Sequence, residues 1–275
     1  MQTLLTHEAA IRAGLFLGLL GLMALWEIAA PQRRLDLPRV LRWSNNLALV
    51  FVDTAILRLV LPTLAVGVAI VAHDRGWGLL NMVGWSLWVK GLLAILVLDL
   101  AIYGQHIVFH KVPVLWRLHR MHHSDPDFDA TTGVRFHPLE ILLSMLIKMA
   151  LVAVLGADPA AVILFELILS AGALFSHANI RLPRRVDRAL RLVVVTPDMH
   201  RIHHSEVRHE TDSNYGFSVT WWDRLFGTYR VAAKAGQQGI RFGIGAFGSR
   251  REQWLDRLFA QPLLDPDDDS KAPRA

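Results

Sequence analysis

The chain has 275 residues, 53% of them apolar and only 19% charged, with a net charge of +5 and no cysteine. Without cysteine there are no disulfides, thiolate metal sites or cysteine nucleophiles, so any metal must be held by His, Asp or Glu. The arginines gather between apolar runs, at Arg33, Arg34, Arg39 and Arg42 and again at Arg181, Arg184, Arg185, Arg188 and Arg191. That pattern suits loops beside anionic lipid and argues against nucleic acid as a partner.

About 20 consecutive apolar residues cross the hydrocarbon core of a membrane as a helix. The first such run is 13–30, broken only by Glu27; Glu8 and Arg12 precede it and no small-residue cleavage site follows, so it reads as a retained span. A second run covers 47–72, with Asp53 and Arg58 as interruptions, and a third covers 85–103, with Lys90 and Asp99 inside it. Two shorter runs, 139–155 and 160–175, flank Gly156-Ala157-Asp158-Pro159, which reads as a tight turn, so they form a hairpin. The expected fold is all-α, a polytopic membrane protein with a histidine-rich helical cap. It is one domain over 1–263 followed by a disordered tail, 264–275, rich in Asp and Pro.

Loop charges set the expected orientation. The connector 31–46 carries four arginines against one acid, Asp36, so it belongs on the cytoplasmic side. Counting spans from there puts 106–138 and everything after His177 on that same face. Two polar segments far apart in sequence are thereby brought together.

The thirteen histidines are grouped. His106 and His110 are four apart at the end of the third run. His119, His122 and His123 follow, and His200, His203 and His204 repeat their spacing. On a helix, positions i, i+3 and i+4 share one face. A pair at i, i+4 can chelate one ion, and a triplet can give two imidazoles to one ion and the third to its neighbour. Three such groups supply enough nitrogens for two metals. His177 and His137 are further candidates, whereas His7 and His73 have no partner at ligand spacing and read as polar anchors, and His209 lies outside the pattern. Imidazole suits Zn, Cu, Fe and Ni alike, so ligand type leaves the metal open. Asp99, on the helical face of His106, can accept a hydrogen bond from a ligand imidazole, and Asp198 and Asn214 are further candidates for that role. Trp221 and Trp222 read as interfacial anchors.

At these residues the chain resembles the fatty acid hydroxylase superfamily, the membrane-bound sterol desaturase and hydroxylase group. The resemblance is carried by Asp99-Leu-Ala-Ile-Tyr-Gly-Gln-His106 with His110, His119-Arg-Met-His-His-Ser124, Phe136-His-Pro-Leu-Glu140 and His177-Ala-Asn179. It continues through Thr196-Pro-Asp-Met-His-Arg-Ile-His-His-Ser205, Asp212-Ser-Asn-Tyr-Gly216 and Trp222-Asp-Arg-Leu-Phe-Gly-Thr228, and covers roughly 84–230.

The resemblance implies a non-haem di-iron centre that uses O2 and two reducing equivalents to hydroxylate a lipid, with a fatty acyl, sterol-like or alkyl ether substrate. Zinc is a possible substitute in isolated protein. The implied ligands are His106, His110, His119, His122, His123, His177, His200, His203 and His204, with His137 at a matching family position. Some members carry an H-x-x-x-H pair where this chain has Ala173 and His177, which leaves one ligand to be made up by water or by His137. No fused cytochrome b5-like domain is evident, so the expected electron donor is a separate ferredoxin- or cytochrome b5-like system. The expected location is the bacterial inner membrane with the metal site facing the cytoplasm. A desaturase with the same centre is the alternative. A zinc hydrolase, which needs an open metal position and a carboxylate base, and a metal-binding or transport protein, which needs ionisable groups along a path across the spans, fit the pattern less well.

Overall fold

The structure, a computed structural model, describes residues 7–265. Among these residues the regular elements are all helices, with no strand beyond isolated bridges. Five segments are long and apolar enough to cross a membrane, and the chain is an integral membrane protein.

The first span is helix α1, Glu8–Ala29, which starts earlier than its apolar run because Glu8 pairs with Arg12 at 2.8 Å, one turn on. The second run is not one helix. It begins at Arg39 and divides into α2, Arg39–Val60, and the short α3, Ala65–Asp74. Pro62 has no N–H to give a helix and forces the residue before it out of the helical region, and Leu61 is extended accordingly (φ −106°, ψ 122°). The third span, α4, Leu87–Lys111, continues past its apolar run and so carries His106 and His110 in its last turns. Pro113 then opens α5, Pro113–His123, as a separate helix.

The expected hairpin is present as α6, Pro138–Leu155, and α7, Pro159–Ser176. Gly156 ends α6 in the left-handed region (φ 64°), and a Cβ there would lie 2.1 Å from the Trp77 carbonyl oxygen, so glycine is required on both counts. Asp158 caps α7 by accepting from the Ala160 N–H at 2.8 Å. α7 packs against α1, α3 and α4, and α6 against α2 and α3. The apolar core between them is built from residues such as Ala94, Leu98, Val152, Val162 and Phe165.

At one end of this bundle the polar segments form a cap. Its anchor is Arg42, fully buried in the first turn of α2, which grips Asp125 through two bonds of 2.9 and 2.7 Å and also pairs with Asp129. Burial alone would raise the Asp125 pKa, but Arg42 and Arg135 hold it below the ordinary carboxylate value. Glu27, near the end of α1, accepts from the Ala130 and Asn179 N–H groups, each at 2.8 Å. Arg42 and Arg191, read from sequence as charges beside lipid, are therefore internal: Arg42 ties a span to the cap, and Arg191 pairs with Asp187 at 2.8 Å. Of the others, Arg34, Arg181, Arg184, Arg185 and Arg188 are exposed and fit the expectation better, whereas Arg33 and Arg39 are half-buried and bond the Ile240 and Glu27 carbonyls. Most of the expected tail, 266–275, lies outside the described residues. Its first two, Leu264 and Asp265, accept from Arg117 on α5.

Candidate metal centre

Nine histidines converge where α4, α5, the end of α7 and α8 (Pro197–His203) meet beneath the cap. They sort into two groups. His106, His110, His119, His123 and His203 form one; His122, His177, His200 and His204 form the other. Within each group the candidate ligand atoms lie within 4.8 Å of one another, and all nine side chains are buried. The helical spacing makes the division. In the α5 triplet the i, i+4 pair His119 and His123 faces the first group, while His122, on the adjoining face, enters the second. In the other triplet His200 and His204 enter the second group and His203 crosses to the first. The groups abut, with the His123 and His204 rings stacked at 4.4 Å.

The proton inventory of the first group shows what it can hold. His106 Nδ1 donates to the Tyr215 carbonyl at 2.7 Å, and His203 Nδ1 donates to the Ser213 carbonyl at 2.7 Å. His119 Nδ1 donates to Glu140 Oε1, also at 2.7 Å. Each of these partners accepts only, so each Nδ1 carries the ring proton and each Nε2 presents a bare lone pair. Yet His106 Nε2 lies 3.1 Å from His119 Nε2 and 3.0 Å from His203 Nε2. Lone pairs converging this closely repel unless a cation lies among them. Two nitrogens bound at ~2.1 Å to one ion are about 3.0 Å apart at a right angle and about 3.4 Å apart in a tetrahedron, so the observed spacings are those of a shared metal.

In the second group His177 is the hub. Its Nδ1 donates to the Ala173 carbonyl at 2.8 Å, and its Nε2 lies 3.2, 3.2 and 3.0 Å from Nε2 of His122, His204 and His200. Gly133 makes room for this ring: a Cβ there would sit 2.6 Å from the Ala173 oxygen and 3.0 Å from His177 Nδ1. The residues present therefore fit two ions, one per group.

Burial, ahead of every other cause, lowers the pKa of six of these imidazoles. It takes His177 down to about 4 and His203 to about 3. His122, His123, His200 and His204 are also held well below the ordinary value, first by burial and then by neighbouring imidazoles. All six are neutral at physiological pH, the state a metal ligand needs.

The structure does not bring every sequence candidate here. His137 belongs to neither group; it caps α6, its Nδ1 accepting from the Leu139 N–H at 3.2 Å. The position opened by Ala173 is not filled by it. Asp99 accepts from Trp222 Nε1 at 2.8 Å, so it braces the cap against α4 without touching a histidine, and Trp222 is engaged internally. Asp198 pairs with Arg201, and Asn214, in the left-handed region (φ 53°), bonds the Met199 and Arg230 backbones. His7, His73 and His209 are exposed. The carboxylate that does orient a histidine is Glu140, with Asp212 near His110 Nδ1 at 3.7 Å. Glu140 stands in the Phe136-His-Pro-Leu-Glu140 box, but its role depends on α6 turning back beside α5, which spacing does not reveal.

A cavity of about 350 Å³ opens beside His106 and His119 and runs down between the spanning helices, lined mainly by apolar side chains such as Leu57, Ile102, Phe109 and Met145. It is within the size range of small-molecule sites.

Residues 91–228, half of the chain, match the family model described as fatty acid hydroxylase. Among curated proteins, the ornithine lipid hydroxylase OlsE of Rhizobium tropici is 27% identical over 65% of this chain and 52% of its own length. Human alkylglycerol monooxygenase is 30% identical over 59% of this chain and 35% of its own. Human cholesterol 25-hydroxylase is 25% identical over 52% of each. The chain thus spans about half or less of the curated relatives it matches. No solved structure matches it.

Proposed function

The chain belongs to the fatty acid hydroxylase family, and from that premise we propose that it is a membrane-bound lipid hydroxylase with a pair of iron ions, one in each histidine group. The observation that carries this reading is the convergence of Nε2 lone pairs whose Nδ1 protons are already committed, since only a cation reconciles it. When bound, the iron pair supplies activation of O2 for oxidation of a C–H bond, with reducing equivalents from a separate ferredoxin- or cytochrome b5-like donor.

The chain's own residues do the rest. Glu140, Tyr215 and Ser213 fix the tautomer and tilt of His119, His106 and His203, so the ligand set is oriented before a substrate arrives. The cavity places an alkyl chain against His106 and His119 while its apolar walls keep water away from the oxidised carbon. Because it lies among the spanning helices, it draws its substrate from the bilayer. The names of the relatives, hydroxylases and monooxygenases acting on an ornithine lipid, alkylglycerols and cholesterol, favour insertion of oxygen over desaturation. The exposed arginines at the cap end favour a cytoplasmic metal site, and we place the protein in a bacterial inner membrane.

The test is iron-reconstituted protein in detergent, given a reductant and bacterial lipid extract, with products read by mass spectrometry. Products heavier by one oxygen, labelled from isotopically heavy dioxygen, support the hydroxylase. Products lighter by two hydrogens would make it a desaturase. Lipid turnover without O2 or reductant would overturn both.

A further inference from the structure

The cavity beside the histidines is mostly apolar, yet several polar side chains face it, and they divide into two sets. At the far end Glu166 pairs with Arg12 and, at 2.6 Å, with Lys148, while Arg12 also bonds Glu8. These charges satisfy one another. They lie at the end of the cavity away from the histidines, since Glu166 is about 16 Å along α7 from His177 at 1.5 Å per residue.

The second set is not satisfied. Asp53 of α2, Gln105 and Glu140 all line the cavity, and Asp53 Oδ1, Gln105 Oε1 and Glu140 Oε2 are each buried without a hydrogen-bond partner among the described residues. Asp53 is only 7% exposed. It cannot borrow a cation from the floor, because Arg12 and Lys148 are already engaged. A buried carboxylate without a partner carries a large desolvation cost, and an ionisable group inside a membrane span marks a functional position. All three unpartnered atoms are oxygens of acceptor groups. Two of them adjoin the metal centre, as Gln105 precedes His106 and Glu140 holds His119.

Resting on the reading of this cavity as a lipid site, we propose that Asp53 is a specificity-determining residue. With Gln105 and Glu140 it receives a hydrogen-bond-donating group of the lipid substrate, a hydroxyl or a protonated amine. A lipid carrying such a group satisfies the acceptors and leaves its alkyl part against the apolar wall. A bare hydrocarbon fills the same volume but leaves the carboxylate unpartnered, so the cavity discriminates against it.

Equilibrium binding to the iron-loaded full-length chain in detergent micelles, with no reductant added, tests this without relying on oxidation chemistry. The probes are radiolabelled hexadecylamine, hexadecyl glycerol ether and hexadecane. The intact protein should bind at least one donor-bearing probe more tightly than hexadecane, and whichever it prefers identifies the donor as amine or hydroxyl. Asp53→Leu should weaken that probe about tenfold or more, the scale of losing a buried acceptor's hydrogen bond, with hexadecane bound as tightly or more tightly. Asp53→Asn, nearly isosteric and so safe for folding, should weaken the amine and spare the glycerol ether. Equal affinity for all three probes in the intact protein would overturn the proposal. So would donor binding that survives Asp53→Leu, or a parallel loss of all three probes in both variants. The heavy-dioxygen assay on the iron-loaded protein is read separately: failure there with the binding pattern intact removes the hydroxylase reading and leaves the donor pocket standing.

Discussion

Replacing Glu140 with Gln removes the charge from the single carboxylate hydrogen-bonded, among the described residues, to a histidine of the five-membered group. The bond is short, 2.7 Å, and both partners are buried, so solvent does not screen it. A buried hydrogen bond to a charged group contributes about 1.5–3 kcal/mol and one to a neutral acceptor about 0.5–1.5 kcal/mol. The exchange therefore costs about 1–1.5 kcal/mol, which at ~1.4 kcal/mol per decade is roughly 5- to 10-fold in affinity. Removing outright a group that orients a metal ligand costs about 10- to 100-fold, so a change of charge alone belongs at the lower edge of that range. The two routes agree. The loss should also be one-sided, because Glu140 touches His119 and none of the four histidines around His177. Stoichiometric iron loading followed by a chelator time course, with metal counted by mass spectrometry, should show one ion leaving Glu140→Gln ahead of the other. Retention of both ions at the intact protein's rate would refute the argument that Glu140 supports the centre. Simultaneous loss of both would refute the division into two sites.

Gly133→Ala is the counterpart on the other side. Its Cβ crowds His177 Nδ1 and the Ala173 carbonyl, so the ion of the four-histidine group should be lost first in the same chelator experiment. His203→Ala should lose metal and activity, whereas His137→Ala should keep both metals and lower stability by about 1 kcal/mol, the cost of a helix cap, seen as a small fall in melting temperature. Arg42→Met leaves Asp125 and Asp129 buried without their cation and should destabilise by about 3–5 kcal/mol in thermal unfolding; an unchanged melting temperature would show that the cap does not depend on this anchor. Metal-free protein should lose stability on acidification. The six imidazoles outside the spans have folded pKa values below the ordinary 6.5, so the unfolded chain binds more protons below that pH. Stability is then fully present above about pH 6.5 and falls as the pH drops towards the folded values, about 4 for His177 and about 3 for His203. Each such group contributes about 1.4 kcal/mol per pH unit, and a flat melting temperature between pH 7 and pH 5 would contradict their burial.

Much of this molecule is written locally in its sequence. Apolar runs give the spans because a helix in lipid must satisfy its own backbone and needs only length and hydropathy. The spacing of His119, His122 and His123 already implies two ions, because helical geometry fixes which ring faces which way. The break at Pro62 was also present in the sequence, but a hydropathy run does not register the loss of one N–H. What the tertiary structure alone decided are contacts between distant segments. Arg42 looked like a lipid-facing charge until the cap folded over it and supplied Asp125 and Asp129. Asp99 shares a helical face with His106 and still points to Trp222, while the orienting carboxylate is Glu140, brought in by a different helix. His137 matched a ligand position by type but belongs to neither histidine group and sits at a helix cap. Helical period fixes direction over a few residues. It carries no information about which helix packs against which, and that packing chose the partners of the histidines.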